Sequence, residues 1–189
     1  MAGGFADFEE FEGTCRRLLR EGVPDVVPLV LDEQHPYIPL SIDIDGDVGV
    51  VLLLTPPRSE GGGQGPSVRL CLLQRHGDDW HYLGGGGGPT EDYPLAARRC
   101  AAELDGRYLR GQCFGHPASN VPRWLSWHAP THFADLQAAA EVDVVRAGTR
   151  TIDVPFHGHV AVIMATRHKP LVEALAADGT PLQTVDLNP

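Results

Sequence analysis

The chain has 189 residues, 42% of them hydrophobic, enough to bury roughly 70% of the surface its unfolded form exposes, and a single domain over residues 1–189 is expected. A formal net charge of −10 with no basic stripe excludes nucleic-acid binding, which needs clustered cations to displace phosphate counterions. No apolar run approaches the ~20 residues that span a bilayer, so no membrane partner is expected. The first ten residues carry neither a basic region nor an apolar stretch, so a cytoplasmic location is expected. Cys15, Cys71, Cys100 and Cys113 are scattered without CxxC spacing, which predicts buried free thiols.

The spacing of Phe5, Phe8, Phe11, Cys15, Leu18 and Leu19 predicts a helix over 5–21, acidic in its first half and basic in its second. Gly22 stops it, with Pro24 beyond. Its phenylalanine stripe is expected to lie on a sheet. Residues 26–83 read as strands. Val26–Leu31 is apolar, with Pro28 marking an edge. Ser41–Ile44 and Val48–Leu54 flank an Asp45-Gly46 turn and predict a hairpin. The trio Asp43, Asp45 and Asp47 invites a calcium-loop reading, but Val48 and Leu54 stand where that loop needs glycine and an acidic ligand.

Thr55 to Pro66 is rich in glycine and reads as a mobile surface loop. Val68–Arg75 and Trp80–Leu83 predict a second hairpin, turning at His76-Gly77-Asp78-Asp79. Five consecutive glycines, Gly84 to Gly88, follow. They are expected to form a loop whose backbone N–H groups approach an anion, or a hinge. Pro94–Leu104 and His132–Ala140 read as helices, the second with Thr131 as N-cap. Residues 141–187 read as a β-meander, with Val160–Met164 as a central strand. The fold class expected is α+β, mainly β: an antiparallel sandwich- or barrel-like sheet with an N-terminal helix and one or two short helices in the middle.

The C-terminal run Gly148-Thr-Arg-Thr-Ile-Asp-Val-Pro155, with the later Val172-Glu-Ala-Leu-Ala-Ala-Asp-Gly-Thr-Pro-Leu182, resembles uncharacterised β-rich domains of actinobacterial type. The resemblance covers roughly the last fifty residues and implies sandwich-like packing without a catalytic residue. The run Gly85-x5-Glu91-x7-Arg99-Cys100-Ala101-Ala102-Glu103-Leu104-Asp105-Gly106 resembles a Nudix box. Cys100 and Leu104 stand where that family has glutamates, and Arg107 replaces its final apolar residue. The resemblance implies Glu91 and Glu103 as catalytic carboxylates holding Mg²⁺ against a diphosphate, with fewer anionic ligands than the family uses.

His157 and His159 flank Gly158, and His168 follows the same strand, so these three are the candidate metal ligands. His128 and His132 have helical spacing, but Pro130 intervenes and no HExxH glutamate is present. His116 near Cys113 is too sparse for a nucleophile pair. Trp80 and Tyr82 share a strand face beside the glycines, so Trp80, Tyr82, Gly84, Gly85, Gly86, Gly87 and Gly88 form the candidate ligand-binding set. Core packing is the first reading of all four aromatics, Trp80, Tyr82, Trp124 and Trp127, and the ligand platform its alternative. The reading is a binding or interaction protein, non-catalytic, whose partner is a small molecule or a protein. A degenerate Nudix-type phosphohydrolase and a small histidine-metal enzyme are the alternatives, and the sequence names no cofactor.

Overall fold

A computed structural model of the chain describes residues 3–57, 65–115 and 130–188. It is mainly β, with 48% strand and 11% helix, and its antiparallel sheets do not close into a barrel. The chain divides into two compact units, Met1–Leu95 and Ala96–Pro189.

The first unit opens with α1 (Gly3–Glu21). Gly22 ends it at φ +89° while its N–H bonds Leu18 O at 2.8 Å, a turn that a side chain would strain. Four strands follow, β1 (Ile38–Asp45), β2 (Val48–Thr55), β3 (Ser67–His76) and β4 (Asp79–Pro89), paired antiparallel in chain order. Both expected hairpins form, with Asp45 opposite Val48 and His76 opposite Asp79. Phe11, Cys15, Leu18 and Leu19 of α1 are buried against Val51, Leu53, Cys71, Leu73 and Trp80 of the sheet. Phe8 stays 36% exposed and sets its ring edge-on to Tyr82, 5.2 Å between centroids. Gly49 makes the docking close, because a Cβ there would lie 2.9 Å from Leu19 Cδ2 and 3.2 Å from Trp80 Cη2. Cys15 and Cys71 are fully buried together in this core, and Cys15 is the largest influence on the Cys71 thiol.

The five glycines are not a loop. They continue β4, with Gly84 to Gly88 opposite Leu72 to Val68. The reason is a close approach that only glycine permits: a Cβ on Gly85 would stand 2.3 Å from Leu70 O, and one on Gly87 2.2 Å from Val68 O. The apolar segment Val26–Leu31 is not a strand either. Pro24 and Pro28 remove two backbone donors, and the segment is held instead by Leu95 N to Leu29 O at 3.0 Å and Leu31 N to Tyr93 Oη at 3.2 Å.

The second unit holds a three-stranded sheet, ordered β5 (Leu109–Gly115), β6 (Thr131–Ala138), β9 (His159–Ala165). A four-stranded sheet is ordered β11 (Pro181–Asp186), β10 (Leu171–Leu175), β7 (Val144–Ala147), β8 (Arg150–Asp153). The chain therefore leaves the second sheet after β8, adds β9 to the first, and returns as β10 beside β7. Val160 and Val162 of β9 and Leu136 of β6 share one apolar core with Val145, Val172 and Ala174 of the other sheet. The Gln183 side chain ties β11 to the start of β5: its Oε1 accepts from Tyr108 N (2.7 Å) and Leu109 N (2.8 Å), and its Nε2 donates to Leu109 O (3.1 Å).

Three expectations are corrected here. His132–Ala140 is not a helix but strand β6 for most of its length, because pairing to β5 and β9 on both sides outweighs the helix propensity of its alanines, Leu136 and Gln137. Pro94–Leu104 carries only a 3-10 turn at Ala101–Leu104, since its backbone groups bond elsewhere: Arg98 N to Phe156 O at 2.9 Å and Ala140 N to Arg99 O at 2.8 Å. Val160–Met164 is buried on both faces but, among the described residues, ends its sheet, where β6 is central. The expected loop at Thr55–Pro66 lies largely in 58–64, outside the described residues.

Two measurements test this core. Gly85→Ala and Gly87→Ala should each cost about 1–3 kcal/mol in urea unfolding, because a backbone carbonyl must move. Gly88→Ala, whose Cβ meets nothing within 4 Å, should stay within about 1 kcal/mol of wild type. The interaction with the Cys15 side chain, which favours the protonated thiol, and then burial raise Cys71 above its ordinary 9.0. The unfolded chain therefore releases that proton first, and stability is full below about pH 9 and falls above it, by up to ~1.4 kcal/mol per pH unit. Cys71→Ala should flatten that alkaline slope in urea midpoints; an unchanged slope would assign it to other groups.

Candidate functional site

The aromatic and glycine candidates fall along one strand with different surroundings. Trp80 is 4% exposed and belongs to the core beneath α1, its ring 5.6 Å from the Arg75 guanidinium. Tyr82 is half-buried beside Phe8, and that burial pushes its hydroxyl above the ordinary range. Neither ring is offered as an open platform. On the other face of the strand His81 and Leu83 are exposed, and Gly85 to Pro89 are exposed throughout.

Among the described residues the run from Asp79 to Pro89 thus ends the sheet as a strand whose second half bears no side chain before Pro89. Carboxylates mark both its ends: Asp78 and Asp79 enter it, and Glu91 and Asp92 leave it. Between Trp80 and Thr90 no residue carries a formal charge with histidine neutral.

Of the two carboxylates implied by the Nudix resemblance, Glu91 is exposed at a bend just past β4, and Glu103 lies in the 3-10 turn of the second unit. No helix joins them, so they do not share a helix face. Glu103 is used locally: its carboxylate accepts the Cys100 N–H at 2.9 Å, and this bond holds its pKa below the usual value. Glu141 caps the same turn, both of its oxygens accepting the Ala101 N–H at 3.2 and 3.0 Å.

The histidines separate. His157 and His159 are buried, at 4% and 2% exposure, with ring centroids 5.6 Å apart. His168 is exposed beyond the opposite end of β9, about 20 Å along a strand of that length. Around the first pair sit two polar side chains that the helical reading of 132–140 hid. Gln137 lies directly opposite His159 and donates from Nε2 to His157 O at 3.2 Å. Asp135 Oδ1 is 4.0 Å from His159 Nδ1. Alternation in Phe133-Ala-Asp135-Leu-Gln137 was the signal for a strand with these side chains on one face.

Gly158 completes the bend, at φ +80°, where a Cβ would sit 2.6 Å from Ala138 O. His157 Nδ1 accepts the His159 N–H at 3.1 Å, so that nitrogen serves the chain turn. Among the described residues no group of three or more His, Cys, Asp and Glu side chains is placed to hold a metal ion. His116, Trp124, Trp127 and His128 lie outside the described residues, as do the side chains of Phe5 and Cys113.

Removing the His157 ring leaves a buried N–H without its acceptor, so His157→Ala should lower unfolding stability by about 1–3 kcal/mol. His168→Ala, on an exposed residue, should stay within about 0.5 kcal/mol. Equal losses in the two variants, reproduced in the wild type by a chelator, would instead mark a shared metal. No protein-family model, curated protein or solved structure matches the chain, so the site is read from its geometry.

Proposed function

We propose that this is a non-catalytic interaction protein that receives an extended polypeptide segment along β4. The observation that carries the reading is the exposed glycine half of β4, at the end of the sheet order β1-β2-β3-β4. An end strand presents a row of backbone N–H and C=O groups that an added strand can satisfy. Glycine adds access, because no side chain stands beside those groups. Leu83, 44% exposed on the same strand, gives such a segment an apolar contact.

Charge narrows the partner. An uncharged centre between carboxylates at 78–79 and 91–92, in a chain of net charge −10, favours a segment with an uncharged middle and basic ends. Asp79 also pairs with Arg20 at 2.7 Å, but that exposed pair is weak and screened. We further take the two sheets of the second unit, which share one core, as the layers of a sandwich.

The test uses a fluorescent nine-residue peptide of alternating Thr and Val with two arginines at each end, and a counterpart with glutamates in their place. The basic peptide should bind at least about tenfold more tightly, and raised salt should weaken it. Leu83→Lys should reduce binding without loss of fold by circular dichroism. Equal affinity for both peptides, no saturable binding, or sedimentation as a dimer through β4 would each overturn the reading.

A further inference from the structure

We infer that Cys15 and Cys71 are a latent disulfide pair that clamps α1 to the sheet when the protein meets a small-molecule disulfide. The two cysteines are 56 positions apart in sequence, on different elements, and both are fully buried in one core. Cys15 lies on the inward stripe of α1 with Phe11, Leu18 and Leu19, and Cys71 is on β3 opposite Val51. The two side chains belong to the same small buried cluster between helix and sheet, near enough that Cys15 is the largest influence on the Cys71 thiol. Packing has thus brought together the two sulfurs that a crosslink needs, which the wide separation of the cysteines in sequence did not suggest.

In the closed state the pair is protected. Complete burial denies an oxidant access, and Cys71 is held as the thiol, the unreactive form. Reaction therefore waits for α1 to lift. α1 meets the sheet through one face only, and its end near Phe8 is partly exposed, the kind of element that opens locally before the whole unit unfolds. Once open, one cysteine thiolate attacks the small disulfide, forming a mixed disulfide and expelling one small thiol. The other cysteine, as thiolate, then attacks the mixed disulfide at the protein sulfur and expels the second small thiol. The balance is two protein thiols and one small disulfide giving one protein disulfide and two small thiols. No other oxidant is required.

The consequence would be a helix that no longer leaves the sheet. α1 covers Trp80 and contacts Tyr82 through Phe8, so the crosslink would fix the layer beneath β4. The pair stands whether or not β4 receives a peptide.

The whole protein is incubated in oxidised and reduced glutathione at a series of ratios, with and without sub-denaturing urea to open α1. It is then acid-quenched, alkylated, and mapped by mass spectrometry without reduction. The expected product is two hydrogen atoms lighter, with a single crosslink joining the Cys15 and Cys71 peptides, and it persists in a Cys100→Ser, Cys113→Ser double variant. In that product amide exchange across α1 should slow at least about tenfold, and reduction should restore it. Stable glutathione adducts on Cys15 or Cys71 without a crosslink, a crosslink through Cys100 instead, or no oxidation even in urea would each refute the pair.

Discussion

Two carbonyl oxygens, those of Val68 and Leu70, occupy the space that a Cβ on Gly87 or Gly85 would need. That contact decides the shape of the first unit along β4. Because glycine removes the clash, the strand continues past Leu83 and keeps its pairing to Ser67–Leu72. The chain then leaves β4 with Thr90 N bonded to Pro66 O at 3.1 Å, and runs on to the Tyr93 and Leu95 contacts that hold 29–31. A run that in isolation suggests a flexible loop is here constrained at alternate residues. The conformational freedom of glycine is a cost to the fold, while its lack of a side chain is what the packing requires.

How far the sequence was legible depends on whether a local pattern or a distant partner decided each element. α1 was readable because its apolar spacing, charge gradient and glycine stop agree, and the two hairpins because alternating apolar runs meet at Gly46 and Gly77, at φ +62° in both. The C-terminal strands were readable at their positions, though not in their pairing, since nothing local says that β9 leaves one sheet for another. The errors share a cause. At 132–140 alanine, leucine and glutamine favour a helix locally, and β5 and β9 overrule them. At 94–100 the backbone bonds to Phe156 and Ala140, partners more than forty residues away. The candidate site is half legible: Trp80–Leu83 reads as a strand with Trp80 as core, and both hold, whereas Gly84 to Gly88 reads as a loop and is in fact the continuation of that strand.

Several side chains that look like chemistry in the sequence act as substitutes for missing backbone partners. Glu103 and Glu141 accept the N–H groups at the start of a 3-10 turn. Gln183 pairs with β5 backbone much as a neighbouring strand would. His157 accepts the N–H of His159 across Gly158. Buried backbone groups must find partners, and where two sheets exchange strands the regular ladder cannot supply all of them. Acidic and imidazole groups in irregular chain are then recruited for structure, which is why residue type alone pointed toward catalysis and metal.

The bare edge of β4 bears on how readily two copies could pair through it. Edge strands are commonly guarded by lysine, proline or an inward charge, and from Trp80 to Gly88 this strand has none of them. Glycine supplies a different guard. Gly84 and Gly87 sit at φ +155° and +148°, so the edge is irregular where a flat template would be regular. Without side chains it also offers no interdigitating surface of the kind that locks stacked copies into a fibril. A segment that brings its own side chains can supply what such an edge lacks, whereas a second copy presents only another glycine run, so pairing between copies has little side-chain contact to hold it.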